Sequence, residues 1–560
     1  MSLEVLLERF GRGWRGPALA AVIALIAGLP GLLALPPLDR DESRFAEASA
    51  QMLESGDFVS PKFQEAPRFN KPVGIYWLQA ASVAALSHVE DRQIWPYRLP
   101  SILGAMLAAA ACAWGAAAFL KPGPSLLAGA MLGSSFLLST EASIAATDGV
   151  LAGAVTLAMA ALGRVYLSAN GGPAAGKLTK VLFWAGLTLS ILVKGPIGPM
   201  VVGLTLIALM AWDRRARWMA GLGWGWGLIA MLAVIGPWAL AITVASDGAF
   251  WGASIGGDLA PKLLRGEETH GEPPLFYAVL APLMLAPATL LLPSGLVAGW
   301  RDWAEAGVRF ALAWLIPSWI VFEAAPTKLI HYPLPLYGAL AWLMARAVQA
   351  PLGPRVRWIG AGLMVLAALV FAAIGPLASE KIAAGQGIAW ALAAALVYLA
   401  AGAVGAWLML RARPVQGLLA GGGLMLTAHA VLLGAVAPTL KPLWLSNRAA
   451  KALAAAGASP AEGVYPGPVT VAGYEEPSLV FLLGSQTELG DAGDAAEAIA
   501  EGRPAIVEQR QTAAFEAALA SDGVQAKRAG EGAGLDYSNN QHDVLQIFLP
   551  ASGPAPEARP

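Results

Sequence analysis

The sequence predicts an all-α polytopic membrane protein with about thirteen transmembrane helices and a small C-terminal α/β domain. Hydrophobic residues make up 57% of the 560 residues and charged residues only 13%, whereas soluble domains carry roughly 25% charged residues. Long apolar runs fill the chain as far as Ala437, and ordinary soluble sequence follows. The net charge of −1 gives no indication of a nucleic-acid partner.

The predicted spans are apolar stretches of about 20 residues, the length that crosses the hydrocarbon core. The first stretch is too long for a signal peptide and lacks a cleavage motif after it, so we interpret it as a retained helix. Only Lys194-Gly195-Pro196 separates the fifth stretch from the sixth. The stretches lie at residues 17–37, 98–120, 122–142, 148–168, 179–194, 195–212, 219–245, 274–298, 307–324, 328–349, 357–377, 386–410 and 415–437.

The positive-inside rule orients these spans. If the N-terminal residues 1–16 are cytoplasmic, almost every short even-numbered connection is basic. Loss of one span would invert this pattern downstream, so the distribution favours thirteen. The basic residues in these connections are Lys121, Arg164, Lys177, Lys180, Arg214, Arg215, Arg217, Arg301, Arg309, Arg346, Arg355, Arg357, Arg411 and Arg413.

The odd-numbered connections then face the non-cytoplasmic side and include two long loops, 38–97 and 246–273, in which acids mix with isolated bases. Functional residues concentrate in loops on a rigid scaffold, so we expect the active surface on this side. Within the first loop, residues 73–87 are apolar but too short to span, and they predict an interfacial helix. Thirteen spans also place residues 438–550 outside the cytoplasm, and the tail 551–560 is predicted to be disordered.

Residues 438–550 alternate strand-like with helix-like runs, which predicts a small α/β domain. The predicted strands include Val469–Val471, Ala505–Val507 and Val544–Phe548, and the predicted helices include Asp491–Ala500 and Thr512–Ala520.

The first loop begins with the charged run DRDESRF, residues 39–45. One interpretation is a capping box, in which Asp39 is the N-cap of a helix and Glu42 is its N3 partner. Asp41 fits this structural role less well. It would lie in the first turn, where the helix dipole favours its ionised form, beside Arg40 and Arg44. It is therefore a candidate for chemistry or cation contact.

Further candidates lie in the same set of connections. Lys71 precedes a proline that stiffens the chain, so its ammonium is a candidate phosphate ligand, with snorkelling as the alternative. Each of the remaining candidates also has a structural interpretation, as a helix cap or an interface anchor. Together, however, they place several cations and carboxylates on one side of the membrane, as a lipid-linked phosphate requires. They are Asp148, Lys194, Lys262, Arg265, Lys328, His331 and Tyr332.

At these residues the sequence resembles a known family. The run DESRFAEASAQMLESGDFVSPKFQEAPRFNKPVGIYWL, residues 41–78, is similar to the first periplasmic loop of the bacterial lipid A aminoarabinose transferases and their relatives in the protein O-mannosyltransferase-like superfamily. The resemblance extends from the first span nearly to the end of the chain. Its further motifs are TDGVLAG (147–153), LVKGPIG (192–198), KLIHYPLPLYGAL (328–340) and VAGYEEPSLVFLLG (471–484).

The resemblance implies a GT-C fold, a polyprenyl-phosphate-linked sugar donor and an active site on the outer face of the bacterial inner membrane. The critical Asp of the family's first loop corresponds to Asp41, and its Lys before Pro corresponds to Lys71, a ligand of the donor phosphate. Where family members have a Glu that helps to hold a metal, this chain has Asn70. No cofactor is therefore assigned, and a divalent metal remains an alternative that Asn70 disfavours. The acidic run near His270 matches no standard metal-binding spacing.

The expected function is transfer of a sugar from a polyprenyl phosphate to lipid A or a related glycolipid at the bilayer surface. Cations would stabilise the departing phosphate. Asp41 would act as a base for a hydroxyl acceptor, or would orient groups if the acceptor is itself a phosphate. The catalytic candidates are Asp41, Glu42 and Asp148. The phosphate-binding candidates are Lys71, Arg44, Lys194, Lys262, Arg265 and Lys328, and the substrate-binding candidates are Tyr76, His331 and Tyr332.

Three alternatives remain open. Within the same superfamily, the acceptor could be a protein. A transporter or flippase is a different class, but transporters place charges near the midplane and often show inverted repeats, whereas here the charges lie at span ends and no repeat is visible. A binding subunit without chemistry would leave Asp41 and Lys71 dispensable.

Overall fold

A computed structural model describes residues 2–259, 272–460 and 467–551 of the chain. Its first part is helical, and each of the thirteen predicted stretches contains at least one helix. The helices before residue 260 are Leu3–Gly11, Arg15–Ala34, Asp41–Ser55, Gly74–Leu86, Trp95–Ala116, Pro122–Gly133, Phe136–Glu141, Thr147–Ala169, Lys177–Lys194, Ile197–Asp213, Trp224–Ala245 and Ala249–Trp251. Those between residues 272 and 437 are Phe276–Met284, Leu292–Arg301, Ala306–Ala324, Tyr337–Ala347, Pro354–Ala383, Ile388–Leu410 and Pro414–Val431.

The count of thirteen spans is not confirmed. Within the described residues, eight helices are long and apolar enough to cross a membrane, or nine if one bent pair counts as a single span. The other stretches are broken, short or charged. Residues 122–142 divide into two helices, Ile197–Asp213 has 17 residues, and the bent pair turns by 116° between Met284 and Ala288.

The predicted break between the fifth and sixth stretches is present. One helix ends at Lys194 and the next begins at Ile197. Gly195 between them has φ +60°, a conformation that favours glycine because a Cβ would clash with the following carbonyl. The turn therefore leaves the Lys194 side chain at the end of a helix.

Small residues bring two long helices into direct backbone contact. At Gly104 of the helix Trp95–Ala116, an added Cβ would lie 2.4 Å from the carbonyl oxygen of Gly149, which belongs to the helix Thr147–Ala169. A larger residue at Gly104 would therefore force the helices apart. This close approach fixes the position of the first turn of Thr147–Ala169, where Asp148 lies.

The predicted C-terminal α/β unit is confirmed. Its five-stranded sheet has the order β4-β3-β5-β7-β6, with β3 parallel to β4 and β5, and β7 antiparallel to β5 and β6. Strands β3, β5 and β7 occur where the sequence predicted them. Strands β1 and β2 form a small antiparallel ladder in the first loop. The strands are β1 (Lys62–Phe63), β2 (Ala66–Pro67), β3 (Thr470–Ala472), β4 (Glu488–Gly490), β5 (Ala505–Glu508), β6 (Ala526–Asp536) and β7 (Gln541–Pro550).

Four helices complete the C-terminal unit, and their packing gives it a core of its own. The described core includes Val471, Ile506 and Ile547 from the sheet, all fully buried. The helices are Leu445–Ala455, Pro477–Leu483, Ala492–Ala500 and Thr512–Asp522. We call Pro477–Leu483 the docking helix because it contacts the first loop.

The helix predicted in the first loop runs from Asp41 to Ser55, and we call it the loop helix. Its apolar face is buried as expected, with Phe45 and Met52 5% and 2% exposed. The capping box, however, was wrong. The N-cap position is Arg40, with φ +60° and no side-chain cap, and Asp39 lies outside the helix. The partners of Asp39 and Glu42, described below, explain why neither side chain caps the helix.

Candidate active site

A buried cluster of charged groups forms where two helices end. Lys194 is the last residue of its helix, and Asp148 lies in the first turn of Thr147–Ala169. Their Nζ and Oδ1 atoms are 2.6 Å apart, and both side chains are largely buried. Each charge lies at the helix end where the helix dipole stabilises it. The hydroxyl of Thr147 donates a hydrogen bond to the other Asp148 oxygen at 3.0 Å.

His331 lies between two carboxylates of this cluster. Its Nδ1 is 3.7 Å from Oε1 of Glu141, and its Nε2 is 3.7 Å from Oδ2 of Asp148. Both carboxylates are less than 9% exposed. The imidazole therefore faces one carboxylate with each of its two ring nitrogens. The sequence analysis placed Glu141 in an outer connection without assigning it a role.

Tyr332 covers the same cluster. The ammonium of Lys194 lies over its ring, 5.4 Å from the centroid, within the range of a cation–π contact. The rings of His331 and Tyr332 meet edge to face at 5.3 Å. The structure therefore brings together four of the predicted site residues, Asp148, Lys194, His331 and Tyr332, and adds Glu141.

The loop helix carries a second group of candidates. The Asp41 side chain is 75% exposed, and its Oδ1 lies 4.0 Å from Nη2 of Arg68. The guanidinium of Arg68 stacks on Phe45, 4.7 Å from the ring centroid. Arg44 is half-buried, and this burial, together with the nearby Arg68, lowers its pKa. Arg68 was not among the predicted residues, although it lies three positions before Lys71.

Glu42, a predicted catalytic residue, has a structural role instead. Its carboxylate accepts hydrogen bonds from Nε and Nη2 of Arg98, both at 2.8 Å, and the two side chains are at most 1% exposed. It also accepts bonds from the backbone amides of Leu38 and Ala145, at 2.8 and 2.7 Å. With both oxygens in these contacts, Glu42 is not available to react with a substrate.

The contacts of Glu42 join the two groups of candidates. Ala145 lies between Glu141 and Asp148 in the chain, so Glu42 fixes the first turn of the loop helix against the segment that carries the buried cluster. Arg98 completes the connection by donating hydrogen bonds to the carbonyls of Leu35 and Pro36 at 2.7 and 2.9 Å. These carbonyls belong to the segment that leads into the loop helix.

The segment that carries Lys71 leads into a helix beside Lys194. The Lys71 ammonium donates a hydrogen bond to the carbonyl of Asn70 at 3.1 Å. The helix that follows packs directly on the Lys194 helix, because a Cβ on Gly74 would lie 2.7 Å from the carbonyl oxygen of Leu192. The Lys71 segment therefore lies against the end of the helix that carries Lys194.

The remaining predicted residues are distributed around this region. Tyr76 is fully buried and contacts Phe45, with 5.6 Å between ring centroids. Lys328 donates hydrogen bonds to the carbonyls of Glu272 and Pro273, at 3.4 and 3.2 Å. Lys262 and Arg265 lie outside the described residues. The acidic run near His270 also lies there.

Among the described residues, the group formed by Glu141, Asp148 and His331 could hold a metal ion. One ligand atom from each lies within 4.8 Å of the others. The two carboxylates face different ring nitrogens of His331, however, and an ion bound by this group would take only one of them. Lys194 already occupies one oxygen of Asp148. No cofactor is established for the chain.

Comparisons with known proteins agree with this architecture. Residues 36–249 match the family model described as dolichyl-phosphate-mannose-protein mannosyltransferase. An undecaprenyl phosphate-alpha-4-amino-4-deoxy-L-arabinose arabinosyl transferase of Pseudomonas aeruginosa (strain UCBPP-PA14) is 30% identical over 362 residues, which are 63% of this chain and 64% of that protein. The enzyme of the same name from Shewanella sediminis is 25% identical over 58% of each chain. The chain thus matches slightly less than two thirds of the length of these relatives.

The fold is similar to that of solved structures over almost the whole chain. The crystal structure of ArnT from Cupriavidus metallidurans bound to undecaprenyl phosphate has a TM-score of 0.76 at 20% identity, and covers 96% of this chain and 98% of that one. The apo structure of the same protein has a TM-score of 0.72 at 19% identity with the same coverage. These similarities show that the chain has the fold of the ArnT structures, in agreement with the resemblance seen in the first loop.

Proposed function

We propose that the chain is an integral membrane glycosyltransferase that moves a sugar from a polyprenyl phosphate to lipid A or a related envelope glycolipid. The observation that supports this proposal most is the hydrogen bond between Glu42 and the Ala145 amide. It joins the loop helix, which contains Asp41, to the buried cluster around Asp148. A single site then combines cations for a phosphate with carboxylates for a sugar. The relatives named as arabinosyl transferases support the same reaction class.

The departing polyprenyl phosphate needs positive charge more than it needs covalent help. Lys71, Arg44 and Arg68 are described cations of the first loop, and they would stabilise the developing negative charge. The partial burial of Arg44 strengthens this effect, since water screens a half-buried charge less. Lys262 and Arg265 remain proposed contributors from the second long loop.

The role of Asp41 depends on the acceptor. A hydroxyl acceptor must lose a proton, and the exposed carboxylate of Asp41 would take it as the general base. A phosphate acceptor on lipid A needs no base, and Asp41 would then stabilise the cationic sugar carbon. Asp148, held by Lys194 and Thr147, would present a fixed negative charge to the same carbon.

We place this site at the periplasmic face of the inner membrane, with the N-terminus in the cytoplasm and the C-terminal α/β unit outside. The basic residues of the even-numbered connections support this orientation. Nucleotide sugars are cytoplasmic, so a lipid-linked donor suits such a site. If a divalent ion takes part, Glu141, Asp148 and His331 are its proposed ligands, since Asn70 removes the carboxylate that the family resemblance implies.

Mass spectrometry of lipid A and other envelope glycolipids tests the proposal. Cells with the intact chain, without it, with Asp41→Ala and with Asp522→Ala should be compared at equal expression. Asp522 ends a helix of the C-terminal unit and serves as the matched control. We expect a sugar-sized mass that disappears in the deletion and in Asp41→Ala and persists in Asp522→Ala. A mass lost in the deletion but kept in Asp41→Ala would contradict the role of Asp41.

A second candidate is glycosyl transfer to a protein. The match of residues 36–249 to a protein mannosyltransferase family favours it. An unchanged glycolipid profile combined with loss of a glycoprotein mass in the deletion strain would select this acceptor. A lipid-linked-sugar transporter, the alternative from another class, would be supported if the purified chain moved the lipid-linked sugar across vesicles without cleaving it.

A further inference from the structure

Two consecutive residues before the loop helix are held by the C-terminal α/β unit, although almost 440 positions separate them from it. The Asp39 carboxylate accepts a hydrogen bond from the hydroxyl of Ser478, and the Asp39 amide donates one to the Tyr537 oxygen at 2.7 Å. Nε of Arg40 lies 3.7 Å from Oε1 of Glu476. The next residue is Asp41, the proposed reacting carboxylate.

The backbone at this point requires external support. Arg40 has φ +60° and ψ −106°, a region that residues other than glycine rarely adopt. Such conformations persist only where the surroundings fix the chain from both sides. Here the C-terminal unit holds Asp39 and Arg40 on one side, and Arg98 holds Glu42 on the other. The direction in which Asp41 leaves the turn therefore depends on both sets of contacts.

The contact at Asp39 ends a chain of buried hydroxyl groups. Oγ of Ser446 lies 2.9 Å from the Tyr474 oxygen and 2.6 Å from Oγ of Ser478. Ser478 is placed to donate to Asp39 or to Ser446, and either hydroxyl can be the donor between Ser446 and Tyr474. Hydrogen bonds linked in this way strengthen one another.

An apolar contact holds the same two elements together further along. Phe481 of the docking helix is fully buried and meets Tyr97 edge to face, with 5.3 Å between ring centroids. Its cluster includes Ala46 and Ala50 of the loop helix. Near the end of the loop helix, the hydroxyl of Ser485 donates a hydrogen bond to Glu54 at 2.5 Å. The docking helix and Ser485 just after it thus contact the segment before the loop helix, the middle of the loop helix and its end.

We propose that the C-terminal α/β unit is a positioning element of the active site, in which the Ser478–Asp39 contact fixes the first turn of the loop helix and with it the direction of Asp41. Asp39 and Ser478 are positioning residues and do not touch the substrate. The proposal rests on the function proposed above, because it assigns the unit to the reaction at Asp41.

The test combines hydrogen–deuterium exchange with kinetics on the full chain in detergent or vesicles. Asp39→Ala removes the acceptor, whereas Asp39→Asn keeps an acceptor oxygen for Ser478. Ser521→Ala is the matched control, because Ser521 is an exposed serine of the same unit. We expect Asp39→Ala to speed amide exchange in residues 41–46 about tenfold, the effect of losing a hydrogen bond worth about 1.4 kcal/mol.

Kinetics separates positioning from mere folding. We expect Asp39→Ala to lower kcat about tenfold with little change in KM, since a misdirected Asp41 weakens the transition state and not substrate binding. Asp39→Asn should restore both exchange and kcat, which excludes simple misfolding, and Ser521→Ala should change neither.

Three results would overturn the proposal. Unchanged exchange at residues 41–46 in both Asp39→Ala and Ser478→Ala would show that the contact does not fix the turn. Faster exchange with unchanged kcat would show that the turn does not position Asp41. If exchange becomes faster in Asp39→Ala but the intact chain transfers no sugar, the proposed function is wrong, and so is the positioning role. The contact between Ser478 and Asp39 would still be supported.

Discussion

Lys194 and Asp148 form a buried ion pair, with 2.6 Å between Nζ and Oδ1, that joins the end of one helix to the start of another. Glu141 lies on the far side of His331 from Asp148, so the ion pair belongs to a larger cluster of charged groups. The arrangement explains why a lysine occurs in an otherwise apolar run. Substitution of this pair also tests most directly whether the charged groups of the cluster depend on one another for stability.

Lys194→Met should destabilise the protein strongly, because it leaves the buried carboxylate of Asp148 without its cation. Loss of one partner of a buried pair costs about 3–5 kcal/mol. The double variant Asp148→Asn/Lys194→Met removes both charges and should cost less than the sum of the single changes. Unfolding in mixed micelles measures these free energies. If the double variant lost as much free energy of unfolding as the two single variants together, the pairing of Asp148 with Lys194 would be contradicted.

Glu42 and Asp41 are neighbours, but substitution of Glu42 should lower stability, whereas substitution of Asp41 should lower activity. Glu42→Gln weakens a fully buried pair with Arg98 and should lower Tm, with loss of about 1.5–3 kcal/mol for charged hydrogen bonds. Asp41→Asn should leave Tm nearly unchanged, because its exposed pair with Arg68 contributes about 0–1 kcal/mol, and should lower kcat. A thermal scan and a transfer assay on each variant test this. If the Glu42→Gln protein were stable but inactive, Glu42 would have a role in the reaction itself.

Gly74→Ala should separate the Lys71 segment from the Lys194 helix. The added Cβ would lie 2.7 Å from the backbone oxygen of Leu192, which cannot move aside as a flexible side chain would. We expect a lower Tm and weaker donor binding, seen as a higher KM. Gly203→Ala is the matched control, because a Cβ there meets nothing within 4 Å and a helical alanine is favoured by about 1 kcal/mol. Equal effects of the two changes would refute this packing.

The junction at Asp39 should loosen as pH rises. Burial raises the pKa of Asp39 to about 7 from its ordinary value of 3.8. A raised pKa means that the folded state binds the proton more tightly, so this contribution to stability is complete below about pH 4 and is lost as pH rises through about 7. Amide exchange in residues 41–46, corrected for its intrinsic pH dependence, should therefore increase over this range.

Asp39→Asn should flatten this pH dependence without abolishing it. The charged and titratable groups that face Asp39 include Arg40, Arg44, Glu42, Tyr474, Glu476, Asp536 and Tyr537. Burial also raises the pKa of Glu476, and it raises that of Glu47 in the loop helix to about 7. These groups account for the remaining slope. An identical slope in the intact chain and in Asp39→Asn would contradict the assignment to Asp39.

Much of the fold could be predicted because its signals are local. Apolar length predicted where the helices occur, and Lys194-Gly195-Pro196 predicted the break between two of them. The number of spans could not be predicted in the same way. The helices break near residues 134 and 285, and hydropathy does not report such breaks.

The site was predicted in part. The motifs identified Asp148, Lys194, His331 and Tyr332, which the fold brings together. Glu141 and Arg68 were missed because their importance comes from partners distant in the sequence. Asp39 and Glu42 had the spacing of a capping box, but tertiary contacts with Ser478 and Arg98 compete for their carboxylates. No local pattern reports such a competition.

Cleavage of a polyprenyl-phosphate-linked sugar by the purified chain in vesicles tests the central claim most directly. Release of free polyprenyl phosphate, followed together with sugar on an added glycolipid acceptor, should be compared for the intact chain, Asp148→Asn and Asp522→Asn at matched Tm. The account predicts equal amounts of both products from the intact chain and from Asp522→Asn, and at least about a hundredfold less from Asp148→Asn, the effect of losing a preorganised charge. Full activity in a folded Asp148→Asn protein, or no cleavage by the intact chain, would contradict it.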